Sequence, residues 1–259
     1  MSTPQWSKFE AALSKPRLQP YLSSANENQE LAISLYRWNL ELSVAFLEIL
    51  APTEVIVRNA IDRELRLWNK SRKKPGGIFY SENWTSDPAP QLSMLKNALK
   101  NAQDQAQKSA RSRAVSHPRC NSNVNHNDVL AQLTFGTWHR LLPSSQPDNK
   151  RKQLLWNHAL VKAFPFAAGN SVDQILRVSG EQMVYSRLRN LSQLRNRAAH
   201  MEPLLEVKVN QRLKDVLDLI HYVDPGMYDW VKGMSRVAAV NSRRPVVPEQ
   251  KTSTASANP

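Results

Sequence analysis

Apolar residues recur three and four apart along nearly the whole chain, which is the period of one helix face. Over residues 27–50 they fall at Leu31, Leu35, Trp38, Leu42, Phe46 and Leu50. Ala51-Pro52 predicts a break, because proline lacks the amide donor and crowds the preceding turn. Thr53 then caps a second helix running to about Asn69, with Val57, Ile61, Leu65 and Trp68 on its apolar line. A second stripe of that helix carries Glu54, Arg58, Asp62 and Arg66, alternating in sign four apart, the spacing of intrahelical ion pairs.

Residues 70–90 hold Pro75, Gly76, Gly77, Pro88 and Pro90 and read as a loop. Leu92, Leu95, Leu99, Ala102, Ala106 and Ala110 place a helix over 91–113. A polar, Asn-rich loop over 114–127 ends at an Asn/Asp cap. Further helices are expected over 128–142, 150–164, 171–200, 205–222 and 225–238. Pro203 ends the longest of these. No segment sustains a period of two, and no internal repeat is visible. The expected fold class is all-α, a helical bundle with additional helices in one domain over residues 1–240. Residues 241–259, with Pro245, Pro248 and a Ser/Thr/Ala end, read as a disordered tail.

Composition narrows the function classes. The chain has 259 residues and 41% apolar positions, enough for a real core. Of its seven glycines only Gly76 and Gly77 lie close together, so neither a dinucleotide nor a P-loop phosphate cradle can be written from them. Lys and Arg number 35 against 22 Asp and Glu, a net charge of +13 that favours a polyanionic partner. The helix over 91–113 adds to this: residues 96–119 carry six cations, Lys96 and Lys100 among them, and one acid. It is a candidate nucleic-acid face or a solvated helix. Cys120 is the single cysteine, so no internal disulfide forms. His117, Cys120 and His126 lie close, yet no fourth ligand stands at a recognised spacing, so no metal and no cofactor is expected. No signal-type N-terminus and no 18-residue apolar run is present, which implies no membrane association and a cytoplasmic setting. Trp38, Trp68, Trp138 and Trp156 fit helical cores, whereas Trp84, in the Pro-bounded loop, is a candidate for base stacking.

The candidate chemistry lies near the end of the longest helix, in Leu194-Arg195-Asn196-Arg197-Ala198-Ala199-His200. Asn196 and His200 are four apart and share a face. Imidazole exchanges protons near neutral pH, and guanidinium holds phosphate and offsets charge developing on it. Together they suffice for cleavage of RNA without metal. Arg151 and His158, seven apart, also share a helix face, so periodicity alone does not choose between the two pairs.

The segment LSQLRNRAAHMEPLL resembles the R-N-x-x-x-H signature of the HEPN superfamily of helical nucleotide-binding domains. More closely, the chain resembles the Abi-like (abortive infection) bacterial proteins within it. PYLSSANENQELAISLYRWNLELSVAFLEIL, TEVIVRNAIDREL, LTFGTWHRLL, LWNHALVKAFP and LRNRAAHMEPLL are similar to that family's blocks in the family's order, spanning most of residues 16–205. The resemblance implies a HEPN-like bundle that forms a homodimer, with the motifs of two subunits facing each other across a cleft. It implies a metal-independent endoribonuclease acting as an antiphage toxin, with a protein or small RNA as a possible antitoxin. The carried-over catalytic positions are Arg195, Asn196 and His200, with Arg197 beside them for RNA. Some relatives have a Tyr two places after the His, where this chain has Glu202, and the often-seen second His is Met201 here. Glu54, Arg58 and Asn59 match another family block and are candidates to line the cleft, with an intrahelical Glu54–Arg58 pair as the alternative. The competing function is a non-catalytic RNA- or DNA-binding helical protein.

Overall fold

The computed structural model describes residues 6–144, 149–167 and 179–248. Among them every regular element is helical, apart from one isolated antiparallel bridge between Lys73 and Phe79. The fold is all-α, as the periodicity requires. Contacts divide the chain into two compact units.

The first unit takes the chain up to Glu48, Arg195–Gln211, and Ser235 onward. It holds α1 (Trp6–Leu13), α2 (Lys15–Ser24) and the first part of α3 (Gln29–Lys70). It also takes the last turn of α8 (Gly180–Ala199), the start of α9 (Val209–Val223) and α11 (Val237–Asn241). Leu18, Tyr21, Leu35, Tyr36, Trp38, Leu42 and Phe46 are buried in it. Asn28 caps α3, its Oδ1 accepting from the Leu31 amide at 2.9 Å. Phe9 and Tyr21 both meet the Tyr36 ring edge-on, with centroids 5.7 and 5.2 Å away. Part of the expected tail makes contacts here. The Arg244 guanidinium covers the Trp38 ring and Asn26 donates to the Pro248 carbonyl, while the Trp38 indole donates to the carbonyl of Val240, just before the tail. Residues 249–259 lie outside the described residues.

The second unit takes Ile49–Leu194 and Arg212–Met234. Val57, Ile61, Leu65 and Trp68 of α3 are buried in it. A 3-10 turn (Pro90–Leu95) leads into α4 (Lys96–Arg111), whose Leu99, Ala102 and Ala106 face inward. α5 (His126–Leu130) packs on α4. α6 (Phe135–Trp138), α7 (Lys150–His158) and α10 (Tyr228–Met234) complete the set. Arg187 of α8 ties to Asp218 of α9 at 2.6 Å. Of the expected helix over 171–200, residues 171–178 lie outside the described residues.

Three expectations are corrected. The break at Pro52 is absent: α3 runs unbroken for 42 residues with the proline inside. The Thr53 hydroxyl does not cap a new helix but donates back to the Ile49 carbonyl at 2.6 Å, an ordinary i−4 back-bond inside the continuing helix. The helix over 128–142 is two short helices. α5 starts at a reciprocal Asn125–Asp128 capping box, and α6 starts afresh because Glu54 Oε1 accepts the Phe135 amide at 2.9 Å. Finally, Trp84 offers no face for base stacking. It is fully buried, and its indole N–H donates to Asp62 Oδ1 at 2.7 Å. The same oxygen lies 2.8 Å from His126 Nε2, whose other ring nitrogen lies 2.9 Å from the Thr85 hydroxyl. Asp62 is therefore an inward-facing anchor, and Arg66 pairs with Glu82 at 2.7 Å.

Candidate functional site

The last turns of α8 bury Leu191, Leu194 and Ala198 and leave Asn196 and His200 exposed on one face. Arg195 and Arg197 are half-buried. The helix stops at a left-handed residue, Met201, with φ of 51°. The Glu202 amide donates to the Arg197 carbonyl at 2.8 Å and the Met201 amide to the Ala198 carbonyl at 3.1 Å. This is a Schellman ending with methionine where glycine is usual.

Three side chains hold that ending in place. Arg17 of α2 donates from Nη1 to the Met201 carbonyl at 2.9 Å and from Nη2 to the His200 carbonyl at 3.5 Å. A guanidinium here satisfies carbonyls that the helix leaves open and offsets its negative end. Asn39 of α3 is fully buried. It donates to the Glu202 carbonyl at 3.2 Å and accepts the Leu204 amide at 2.6 Å, a two-bond clasp on the chain leaving the motif. Arg197 donates to the Pro203 carbonyl and lies 3.9 Å from Glu202 Oε2. It holds the loop while half-exposed. Tyr21 has a buried hydroxyl with no hydrogen-bond partner among the described residues, and burial first, then the neighbouring Tyr36, push its pKa up to about 12.

The expected site residues fall into two groups. Arg195, Asn196, Arg197 and His200 come together in the first unit. Glu54, Arg58, Asn59, Lys96 and Lys100 belong to the second. There Glu54 caps α6, Arg58 is half-buried, and Asn59 is exposed. Lys96 and Lys100 are exposed one turn apart on α4, and Lys108 and Arg111 are exposed further along it. Arg17 and Asn39 were not singled out by sequence. Asn39 was findable as a polar residue beside Trp38 and Leu42 in an apolar stripe. Arg17 gives no such signal, because its partner lies 184 residues away. Among the described residues no group of three or more His, Cys, Asp or Glu is arranged to hold a metal ion. No described helix is long and apolar enough to cross a membrane.

No curated protein and no solved structure matches the chain. The family model of the Abi-like proteins does match it, over residues 5–206, and so covers both the α2–α3 clasp and the helix end that it holds. With most of its length matched, the chain belongs to the Abi-like protein family, which points to a role related to abortive infection.

Proposed function

We propose that the chain is a metal-independent endoribonuclease of the HEPN type that arrests growth during phage infection. The observation that carries this is the exposed His200 imidazole, on the same face as Asn196, at a helix end clasped by Arg17 and Asn39. A histidine serving only the core would be turned inward, as His126 is. One imidazole takes the proton from a ribose 2′-hydroxyl, and that oxygen attacks the adjacent phosphorus. A protonated imidazole gives its proton to the departing 5′-oxygen. Arg195 stabilises the charge that builds on the phosphoryl oxygens. Base and acid are two copies of His200 in a homodimer. The products are a 2′,3′-cyclic phosphate and a 5′-hydroxyl.

The test is cleavage of total RNA by purified protein, with growth on induction read in parallel. His200→Ala and Arg195→Ala are expected to lose about 100-fold or more in cleavage rate, to lose toxicity, and to melt as wild type does. Wild-type cleavage persists in EDTA. Cleavage by His200→Ala at the wild-type rate, or dependence on a divalent ion, overturns the mechanism. A binding-only role draws on the exposed cations of α4 and expects His200→Ala to change nothing.

A further inference from the structure

Residues 70–80, KSRKKPGGIFY, hold four cations followed by three large apolar side chains. They form a short hairpin. Lys73 bridges Phe79, the Lys74 amide donates to the Ile78 carbonyl at 2.7 Å, and the Tyr80 amide donates to the Arg72 carbonyl at 3.0 Å. The Gly77 amide closes the turn on the Lys74 carbonyl at 3.0 Å. Pro75 stands in the first central position of that turn and Gly76, with φ of 93°, in the second, the residue pattern of a type II turn. Gly77 follows at φ of 85°, again a conformation that side chains resist.

The tip has no core to pack against. Ile78 is 72% exposed and Phe79 54% exposed. The root, by contrast, is fixed. Buried Asn69 donates to the Ser81 and Asp87 carbonyls and accepts the Ala89 amide, and Trp84 is anchored on Asp62. Two of the four cations have carboxylate partners: Lys74 reaches Asp87 at 2.7 Å and Lys70 reaches Glu82 at 3.9 Å. Among the described residues Arg72 and Lys73 make no ion pair. Lys73 Nζ instead lies 5.4 Å from the Phe79 ring centroid, and Lys74 Nζ 5.0 Å from that of Tyr80.

We propose that this hairpin binds single-stranded RNA, with a base stacked on the exposed Phe79 ring and the flanking phosphates taken by Arg72 and Lys73. An aromatic platform interleaved with cations suits a strand whose base faces are free. A duplex hides those faces. An anionic membrane is the poorer fit, because the apolar tip is two side chains and Glu82 and Asp87 stand at its root. The choice of RNA as the polyanion rests on the proposed ribonuclease, whereas the stacking and charge argument stands without it.

The experiment is fluorescence anisotropy of labelled oligouridylate with the full chain carrying His200→Ala, so that binding is read without cleavage. Phe79→Ala is expected to weaken binding about tenfold, while Phe79→Trp keeps it. Arg72→Ala with Lys73→Ala is expected to make the salt dependence shallower by about 1.4 in log–log slope. An RNA duplex binds less tightly and ignores Phe79→Ala. Unchanged oligouridylate binding by Phe79→Ala overturns the proposal. So does a hairpin that matters only for binding vesicles of phosphatidylglycerol. Hairpin-dependent binding by a chain that never cuts RNA sinks the ribonuclease and leaves the hairpin standing. Cleavage by a chain indifferent to Phe79 does the reverse.

Discussion

Asn39 carries more of the motif's geometry than any residue inside it. Its fully buried amide replaces two backbone partners for the chain at Glu202 and Leu204. Asn39→Ala leaves a buried amide and a part-buried carbonyl without this partner, and a loss of about 2 kcal/mol in urea unfolding is expected. A larger fall in RNA cleavage than in RNA binding should accompany it, since the clasp positions His200 and does not touch the substrate. At this scale the sequence was informative about faces: that Asn196 and His200 share one follows from the helical period, and the structure leaves both exposed. It was uninformative about which distant side chain meets which, because a hydrogen bond across 163 residues leaves no local pattern. Trp84 shows the same limit. A tryptophan among prolines looks like a surface residue until Asp62 gives its N–H a buried acceptor.

Whole elements were legible where an apolar stripe ran long, as along α4, where Leu99, Ala102 and Ala106 are buried as the period demands. They were misread where one side chain changed the local outcome. α3 continues through Pro52 with Thr53 turned back on Ile49 inside the same helix, and Glu54 accepts the first amide of α6 from across the unit. The loop between α4 and α5 depends on a similar single residue. Asp128 accepts a bidentate pair of bonds from Arg119 and a third bond from Arg113, while closing the capping box of α5. Chiefly through the Arg119 bond, its pKa is lowered from 3.8 to about 2. A depressed carboxyl contributes stability that is complete above its unfolded value and is lost as the pH falls through the folded one. Asp128→Asn is therefore expected to melt below wild type at neutral pH, and the gap should close as the pH falls from about 4 toward 2. Thermal melts across that range check it, and a gap independent of pH would contradict the assignment.

For the molecule as a whole, the charge of +13 is the feature that sequence alone displayed without ambiguity. The structure adds its distribution by unit: the proposed acid–base group is in one, and the α4 cations and the basic hairpin are in the other. Binding and chemistry are thus expected to separate on mutation. Lys96→Glu with Lys100→Glu should raise KM for RNA with little effect on kcat, and should flatten the dependence of affinity on salt by about 1.4 in log–log slope. Steady-state cleavage at two ionic strengths measures both. The division into two units was not legible in sequence, because three of its four boundaries fall within α3, α8 and α9, where no linker marks them.

The seating of residues 240–244 over Trp38 gives the molecule an optical gauge of its own. An indole sealed by a carbonyl on its nitrogen and a cation on its ring sits in a dry, polarised niche, and peeling the C-terminal strap away would let solvent relax around it. Whatever loosens the strap, whether a cut, a ligand or a neighbour competing for α3, would shift the share that Trp38 contributes to the emission of the seven tryptophans.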